Sequence, residues 1–363
     1  MSDAFSENFV RERQEQWEVE RLSPLATLSR DTKGRLVDEP RDALRTEFQR
    51  DRDRVIHTNA FRRLKHKTQV FVAPIGDHFV TRLTHTLEVT QIARTIARSL
   101  RLNEDLAEAA ALGHDVGHTP FGHIGEQVLD LLHPGGFRHN EQSLRTVDVL
   151  EKDGVGLNLT HETRQAILKH SKPRGDFLNA DELDSLTLEA QIVRVSDAIA
   201  YLAHDIGDAI RAGVLGESDL PADAREVLGT RHSTRLDSMV NDVVVASWAC
   251  AGYDFTAEGP RPRLAMSPQV SGVVNQLREF MFDNVYVPAG QGPEGQNARV
   301  VVEFLYDYFL KRSSEIPEQY FSRNDPVDLV ALDYISGMTD QFALHTAEGL
   351  KPGIASDVFL GRV

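Results

Sequence analysis

An all-α fold is what the sequence predicts, on three observations. Apolar residues recur at three- and four-residue spacings through most of the chain, strand-like alternation is scarce, and chain breakers gather in a few places between the periodic segments. The periodic segments run over 42–70, 83–101, 104–116, 122–132, 140–152, 161–169 and 187–212, then over 236–251, 268–286, 297–313 and 325–344. Breakers cluster at Gly135-Gly136, at Lys172-Pro173-Arg174-Gly175, and within 252–268 and 288–295, and the last two stretches are expected to be surface loops. Short β-hairpins near 34–38 and 70–80 are compatible with the pattern. There is no internal repeat and no heptad array.

Around Gly213 to Arg235 the chain turns polar and acidic. That shift divides it into an N-terminal arm (1–39), a helical core (40–215) and a C-terminal helical region (216–363) expected to complete the pocket and carry oligomer contacts. Two readings of the arm stay open: packing on a neighbouring subunit, or a frayed terminus. Phe280, Met281, Phe282, Phe304, Leu305 and Phe309 exceed what one small core needs, which points to a homo-oligomer of cyclic or dihedral symmetry. The competing reading is that they complete the monomer core.

The net charge of −15 argues against general affinity for nucleic-acid backbones. Within this acidic chain, residues 41–67 are locally basic, either an anion site or a salt-bridged helix face. No apolar run is long enough for a membrane span, and the polar N-terminus is not a secretory signal. The single cysteine, Cys250, sits in an apolar run and reads as a core hydrophobe. One cysteine permits neither an intrachain disulfide nor a cysteine-built zinc site, and it suits a reducing cytoplasm.

Candidate chemistry concentrates in four places: Arg82-Leu83-Thr84-His85, His114-Asp115-Val116-Gly117-His118, Gly122-His123-Ile124-Gly125-Glu126, and Asp197. His85 begins a helix whose core side is Leu87, Val89, Ile92, Ile96 and Leu100, and His114-Asp115 end another. An ionised Asp at the end of an apolar helix is costly to bury unless a positive group compensates it, and a divalent cation would do so. His85, His114, Asp115 and Asp197 form a mixed N/O donor set that suits Mn, Fe, Co, Ni, Zn or Mg and leaves positions open for water and phosphate oxygen. Asp197, Tyr201 and Asp205 are four apart and share one face of the 187–212 helix, either lining a site or facing solvent. Gly117 and Pro120 stop the first helix; on the next, His123 and Glu126 are three apart, the arrangement of a histidine held by a carboxylate for acid–base work. His118, between them, either contacts a phosphate or supports its neighbours.

The order His85, His114-Asp115, Asp197 resembles the H…HD…D pattern of the HD superfamily, and the run from Gly113 to Glu126 is similar to the core motif of the dGTPase-like deoxynucleoside triphosphate triphosphohydrolases. Phe137 to Ser143, Phe48 to Arg54, Phe61 to Leu64, Lys67 to Val70 and Asp333 to Asp340 are similar to further segments of that family, so the likeness spans about residues 29–350. The resemblance implies an all-helical HD fold with additional C-terminal helices, and hydrolysis of a dNTP to deoxynucleoside and tripolyphosphate. It implies His85, His114, Asp115 and Asp197 as metal ligands and His123 with Glu126 as the catalytic pair. Arg82 and His118 would touch the phosphates, Tyr201 and Asp205 would line the sugar and phosphate pocket, Gln69 would face the sugar 3′-hydroxyl with Val70 beneath the ring, and Arg62 would join the substrate-binding set. It also leaves room for a nucleotide activator. Other HD enzymes, namely (p)ppGpp hydrolases, cyclic-dinucleotide phosphodiesterases and 5′-deoxynucleotidases, are the alternatives. A nucleotide-sensing regulatory HD protein is the non-enzymatic one; such a regulator would lose ligands, and none is lost here.

Overall fold

The computed structural model describes residues 9–70, 80–171, 178, 183–321 and 323–355. Its longer helices are α1 (Phe9–Arg21), α2 (Glu47–Ile56), α3 (Asn59–Arg63), α4 (Arg82–Ser99), α5 (Glu104–Gly113), α6 (His123–Leu132), α7 (His139–Arg145) and α8 (His161–Lys169). They continue with α9 (Leu188–Arg211), α10 (Ala222–Leu228), α11 (His232–Ala246), α12 (Pro268–Met281), α13 (Pro293–Lys311), α14 (Val327–Ser336) and α15 (Asp340–Leu350). Among the described residues no sheet forms; two isolated bridges join Arg35 to Thr160 and Thr68 to Thr81.

Polar residues at the predicted boundaries set the helix starts. Asn103, Thr187 and Thr339 accept the backbone N–H of Leu106, Ala190 and Phe342, each at 3.2 Å. The same chemistry breaks two segments that the periodicity reads as continuous. Thr58 donates to the Val55 carbonyl at 2.7 Å and accepts from the Phe61 N–H at 3.1 Å, so the expected 42–70 helix stops at Ile56 and restarts. Thr339 caps α15 in the same way, dividing the expected 325–344 helix at Gly337. No hairpin forms at 34–38, where Arg35 pairs across to Thr160 instead. The expected hairpin near 70–80 falls largely on residues 71–79, outside the described residues.

Three apolar clusters surround the site. The largest packs Val89, Ile92 and Ile96 of α4 and Ala107, Ala110 and Ala111 of α5 against Ile192, Val195, Ile199 and Leu202 of α9, and takes in Val274, Leu277 and Met281 of α12. The second joins Phe121, Ile124 and Val128 to Leu305, Phe309, Val330 and Leu344. The third, with Val55, Leu64, Leu112 and Val116, lies beneath the end of α5. The α5–α6 loop thus runs between clusters, with Val116 anchored in one and Phe121 in another. Leu87, expected on the core side of α4, is 50% exposed.

Residues 22–36 are tied to their own chain. Ser23 donates to the carbonyls of Arg101 and Cys250, Thr27 binds Glu189 through both its N–H and its hydroxyl, and Arg35 pairs with Glu47 and Asp51. Cys250 is fully buried, as a core residue. Most bases of the 41–67 stretch are spent on internal pairs: Arg45 with Asp42 and Asp53, Arg50 with Glu47 and Glu39, Arg52 with Asp105. Of the apolar residues read as surplus, Met281, Leu305 and Phe309 are buried within this one chain, while Phe282 is at the surface.

Candidate metal centre and active site

His85 lies in the first turn of α4, His114-Asp115 just past the last turn of α5, and Asp197 near the middle of α9. The α4, α5 and α9 packing converges these four side chains from three helices. His85 Nε2 is 3.2 Å and His114 Nε2 3.9 Å from Asp197 Oδ1, and His114 Nε2 is 3.6 Å from Asp115 Oδ1. His114 Nδ1 donates to the Ala111 carbonyl at 2.6 Å, which fixes its proton there and leaves Nε2 as a lone pair. Burial, opposed by Asp197, pushes His85 down to about 4, so its ring is neutral near pH 7. Burial raises Asp115, but His114 and Arg82 beside it outweigh this and hold it well below the usual carboxylate range.

Three groups of His, Asp and Glu among the described residues have ligating atoms within 4.8 Å of one another: His85–His114–Asp115, Asp115–His139–His170 and His118–His123–Glu126. Only the first contains a buried ring nitrogen, His114 Nε2, with no hydrogen-bond partner among the described residues. In the second, His139 Nε2 faces His170 Nε2 at 3.2 Å and the other His139 nitrogen is on Glu126, so the pair is closed by a shared proton. A divalent cation therefore fits the first group, with Asp197 as the fourth donor: two imidazoles, two carboxylates and the open His114 Nε2 between them.

The cleft beside this group is lined by Gln69, Arg82, Asp115, His118, His123, His139, Ser171, Asp197, Tyr201 and Arg278, and has a volume of 160 Å³. Arg82 is 2% exposed and gives Nη1 to Asp115 Oδ2 at 2.6 Å, while its Nε and Nη2 have no partner among the described residues. Buried guanidinium donors left open beside a cleft are what an anionic ligand would complete. Gln69 is buried, and its Oε1 is also without a partner among the described residues. Val70 is half-buried against the first apolar cluster.

The loop into α6 runs through Gly122 at φ +60°, where a Cβ would stand 3.2 Å from the Gln69 carbonyl and 3.3 Å from Arg82 Nη2. His123, half-exposed at the start of α6, places Nδ1 3.5 Å from Glu126 Oε2 and Nε2 3.3 Å from the Tyr201 hydroxyl. Glu126 also accepts from His139, through the backbone N–H and Nδ1, both at 2.9 Å. Burial raises Glu126, yet His139 and His123 outweigh it and keep it well below its ordinary value. His118 is buried, stacks on His139 with centroids 4.7 Å apart, and accepts the Thr119 N–H on Nδ1. Burial, with Arg82 and His139 adding to it, pushes His118 well down, so it faces the cleft as a neutral ring.

Three residues expected to bind substrate, Val70, Asp205 and Arg62, do not line this cleft. Asp205 is fully buried, bonded to the Tyr286 hydroxyl at 2.8 Å and beside His204, and does not line the cleft that Asp197 and Tyr201 line. Arg62 is exposed and lines a separate 310 Å³ cavity with His57, Arg63, Lys67, Lys152 and Tyr320. The structure adds residues to which the sequence reading assigned no role. Arg278 of α12 is in the cleft wall, His139 and His170 stand behind it, and His204 backs His85. His204 carried a signal, being seven residues from Asp197 on one helix and so near its face.

The HD domain family matches residues 82–202, and the phosphohydrolase-associated domain matches residues 264–348. The chain is 50% identical to a deoxyguanosinetriphosphate triphosphohydrolase-like protein of Caldanaerobacter subterraneus subsp. tengcongensis, over 92% of this chain and 94% of that one. It is 47% identical to the protein of that name from Desulfatibacillum aliphaticivorans, over 92% of this chain and 96% of the other, and 47% identical to that of Clostridium tetani, over 90% and 92%. The chain belongs to the deoxyguanosinetriphosphate triphosphohydrolase-like family of HD-domain proteins.

Proposed function

We propose that the protein hydrolyses deoxynucleoside triphosphates to deoxynucleoside and tripolyphosphate. The observation that carries this reading is the pairing, across one cleft, of a metal-ligand set with buried open guanidinium donors at Arg82 and a carboxylate-held histidine at the mouth. His85, His114, Asp115 and Asp197 would hold the divalent ion, which when bound supplies Lewis acidity toward phosphate oxygen. Arg82 and Arg278 bind and neutralise the triphosphate. Water adds to the α-phosphorus as the bond to O5′ breaks, and His123 gives its proton to the departing sugar oxygen. Glu126 orients the His123 ring from Nδ1, and His139 orients Glu126 in turn. Neutral His118 contributes a hydrogen bond to a phosphate oxygen rather than a charge. Gln69 meets the sugar. A homo-oligomer and a nucleotide activator belong to the same proposal.

The test is product analysis. Purified protein with Mn²⁺ or Mg²⁺ and each dNTP in turn should release deoxynucleoside and intact tripolyphosphate in equal amounts. Release of deoxynucleoside monophosphate with pyrophosphate, or of phosphate stepwise, would overturn the assignment.

A further inference from the structure

We propose that His204, with Asp205 behind it, is the positioning residue for the metal ligand His85, holding that ring so that Nε2 is presented to the cation. The inference rests on the metal-dependent reading above and adds two residues to it.

His85 Nδ1 lies 2.7 Å from His204 Nε2. His204 Nδ1 lies 2.9 Å from Asp205 Oδ1, and Asp205 Oδ2 accepts from the Tyr286 hydroxyl at 2.8 Å. His85, His204 and Asp205 are 1%, 2% and 0% exposed, so water cannot stand in for any of these partners.

One proton order gives the His85–His204 contact a donor and an acceptor and leaves His85 Nε2 open. A cation on His85 Nε2 uses that lone pair and leaves the ring proton on Nδ1, which donates to His204 Nε2. His204 Nε2 is then an acceptor, and its own proton sits on Nδ1 toward Asp205. In the opposite order, His204 donates through Nε2, the His85 proton moves to Nε2, and the ligand nitrogen is closed. The partner on the far nitrogen of a ligating histidine thus sets both its tautomer and its orientation. Asp205 favours the productive order. Its contact with His204 is off the line of a full hydrogen bond, so its pull is chiefly Coulombic. The His204 ring also stands edge-on to His85, centroids 4.9 Å apart at 82°, and blocks the space into which His85 would swing. This gives Asp205 a structural setting different from the substrate contact that the family resemblance implies.

The experiment titrates metal-free, full-length protein with Mn²⁺ and follows free Mn²⁺ by electron paramagnetic resonance, with no turnover required. His204→Leu should raise the Mn²⁺ Kd by about 10- to 100-fold, the usual consequence of losing such a partner. His204→Gln, whose amide oxygen can accept from His85 Nδ1, should recover most of that loss. Asp205→Asn, nearly the same shape, should raise Kd by about tenfold and serves if His204→Leu does not fold. Parent-like Kd values in His204→Leu or Asp205→Asn overturn the inference. So does an equal loss in His204→Leu and His204→Gln, because that marks mere packing. A parent that binds Mn²⁺ but leaves dNTPs intact, with the variants behaving as expected, sinks the proposed reaction and supports the positioning role. A parent that binds no metal sinks both.

Discussion

Glu126 is held by His139, whose backbone N–H and ring Nδ1 both reach it at 2.9 Å, while His123 stands off at 3.5 Å from the other carboxylate oxygen. The partly buried His139 therefore fixes the carboxylate, and the carboxylate aims the half-exposed His123. His123→Ala should lose turnover by about a hundred- to ten-thousandfold, the range of general acid–base contributions, and keep its metal. Glu126→Gln should lose at least as much, because an amide cannot accept at both oxygens and His139 loses its anchor as well. Single-turnover hydrolysis beside metal analysis decides it. A His123→Ala protein running at the parent rate would pass the role to His118.

The same pair makes a pH prediction. His139 is raised above its ordinary 6.5, burial opposing the shift and the Glu126 charge outweighing it, while Glu126 is depressed below its ordinary 4.5. A raised histidine stabilises the fold fully below 6.5 and loses that contribution as pH climbs through its folded value. A depressed carboxylate stabilises fully above 4.5 and loses it as pH falls through its folded value. Both contributions coexist between 4.5 and 6.5. Urea unfolding of the metal-free parent and His139→Asn should therefore differ most in that window and converge toward alkaline pH. A difference that grows above neutrality would show that His139 is held neutral.

His114 and Asp115 should respond differently to truncation, although both are expected metal ligands. Asp115 is also the counter-charge of buried Arg82, at 2.6 Å. Asp115→Ala strands that guanidinium and should cost about 3–5 kcal/mol of stability. His114→Ala removes a ring whose Nε2 already lacks a protein partner. It should lose metal and activity with a clearly smaller drop in Tm of the metal-free protein. Equal destabilisation by the two would mean that Asp115 does not neutralise Arg82.

How far the site was legible depends on whether its parts are local. The Gly113 to Glu126 run could be read because its demands fall within a few residues. Gly117, for instance, leaves no room for a side chain, since a Cβ there would lie 2.1 Å from the Ser143 nitrogen. The expected ligand set comes from the resemblance of its order to a known pattern, and the helices bring its four side chains together. His204 meeting His85, 119 residues away, is set by how α9 crosses α4, and periodicity fixes a face but not its partner. Asp205 shows the limit: it shares a helix stripe with Asp197 and Tyr201, yet its place in the stripe is beneath Tyr286 rather than at the cleft. The missed breaks at Thr58 and Gly337 are capping events inside apolar periodicity, where a single hydroxyl outcompetes the helix.

Gly122→Ala should impair substrate binding and spare the metal. Its φ of +60° is strained for any residue with a side chain, and the added methyl would press on the Gln69 carbonyl and on Arg82 Nη2. A higher KM for dNTP with unchanged Mn²⁺ stoichiometry is the expected result. Unchanged KM would show that the Arg82 end is not where phosphate binds.

Gln69 carries the last prediction, which concerns the sugar. Its side chain is 3% exposed, borders the cleft, and has an amide oxygen with no partner among the described residues. A buried acceptor left open costs about 1–3 kcal/mol, which a hydroxyl of the bound sugar would relieve. Gln69→Leu keeps the size and removes the acceptor. It should lower kcat/KM for dNTP by roughly 5- to 150-fold, the same energy expressed as a ratio, with metal content unchanged. Gln69→Glu keeps an acceptor and should lose less. With the sugar seated at Gln69, the parent should prefer dGTP to GTP, because a pocket fitted to one sugar rejects a bulkier one. The measurement is kcat/KM for dGTP and GTP with the parent and both variants. Equal turnover of the two nucleotides by the parent, or a Gln69→Leu protein indistinguishable from it, would place the sugar away from Gln69.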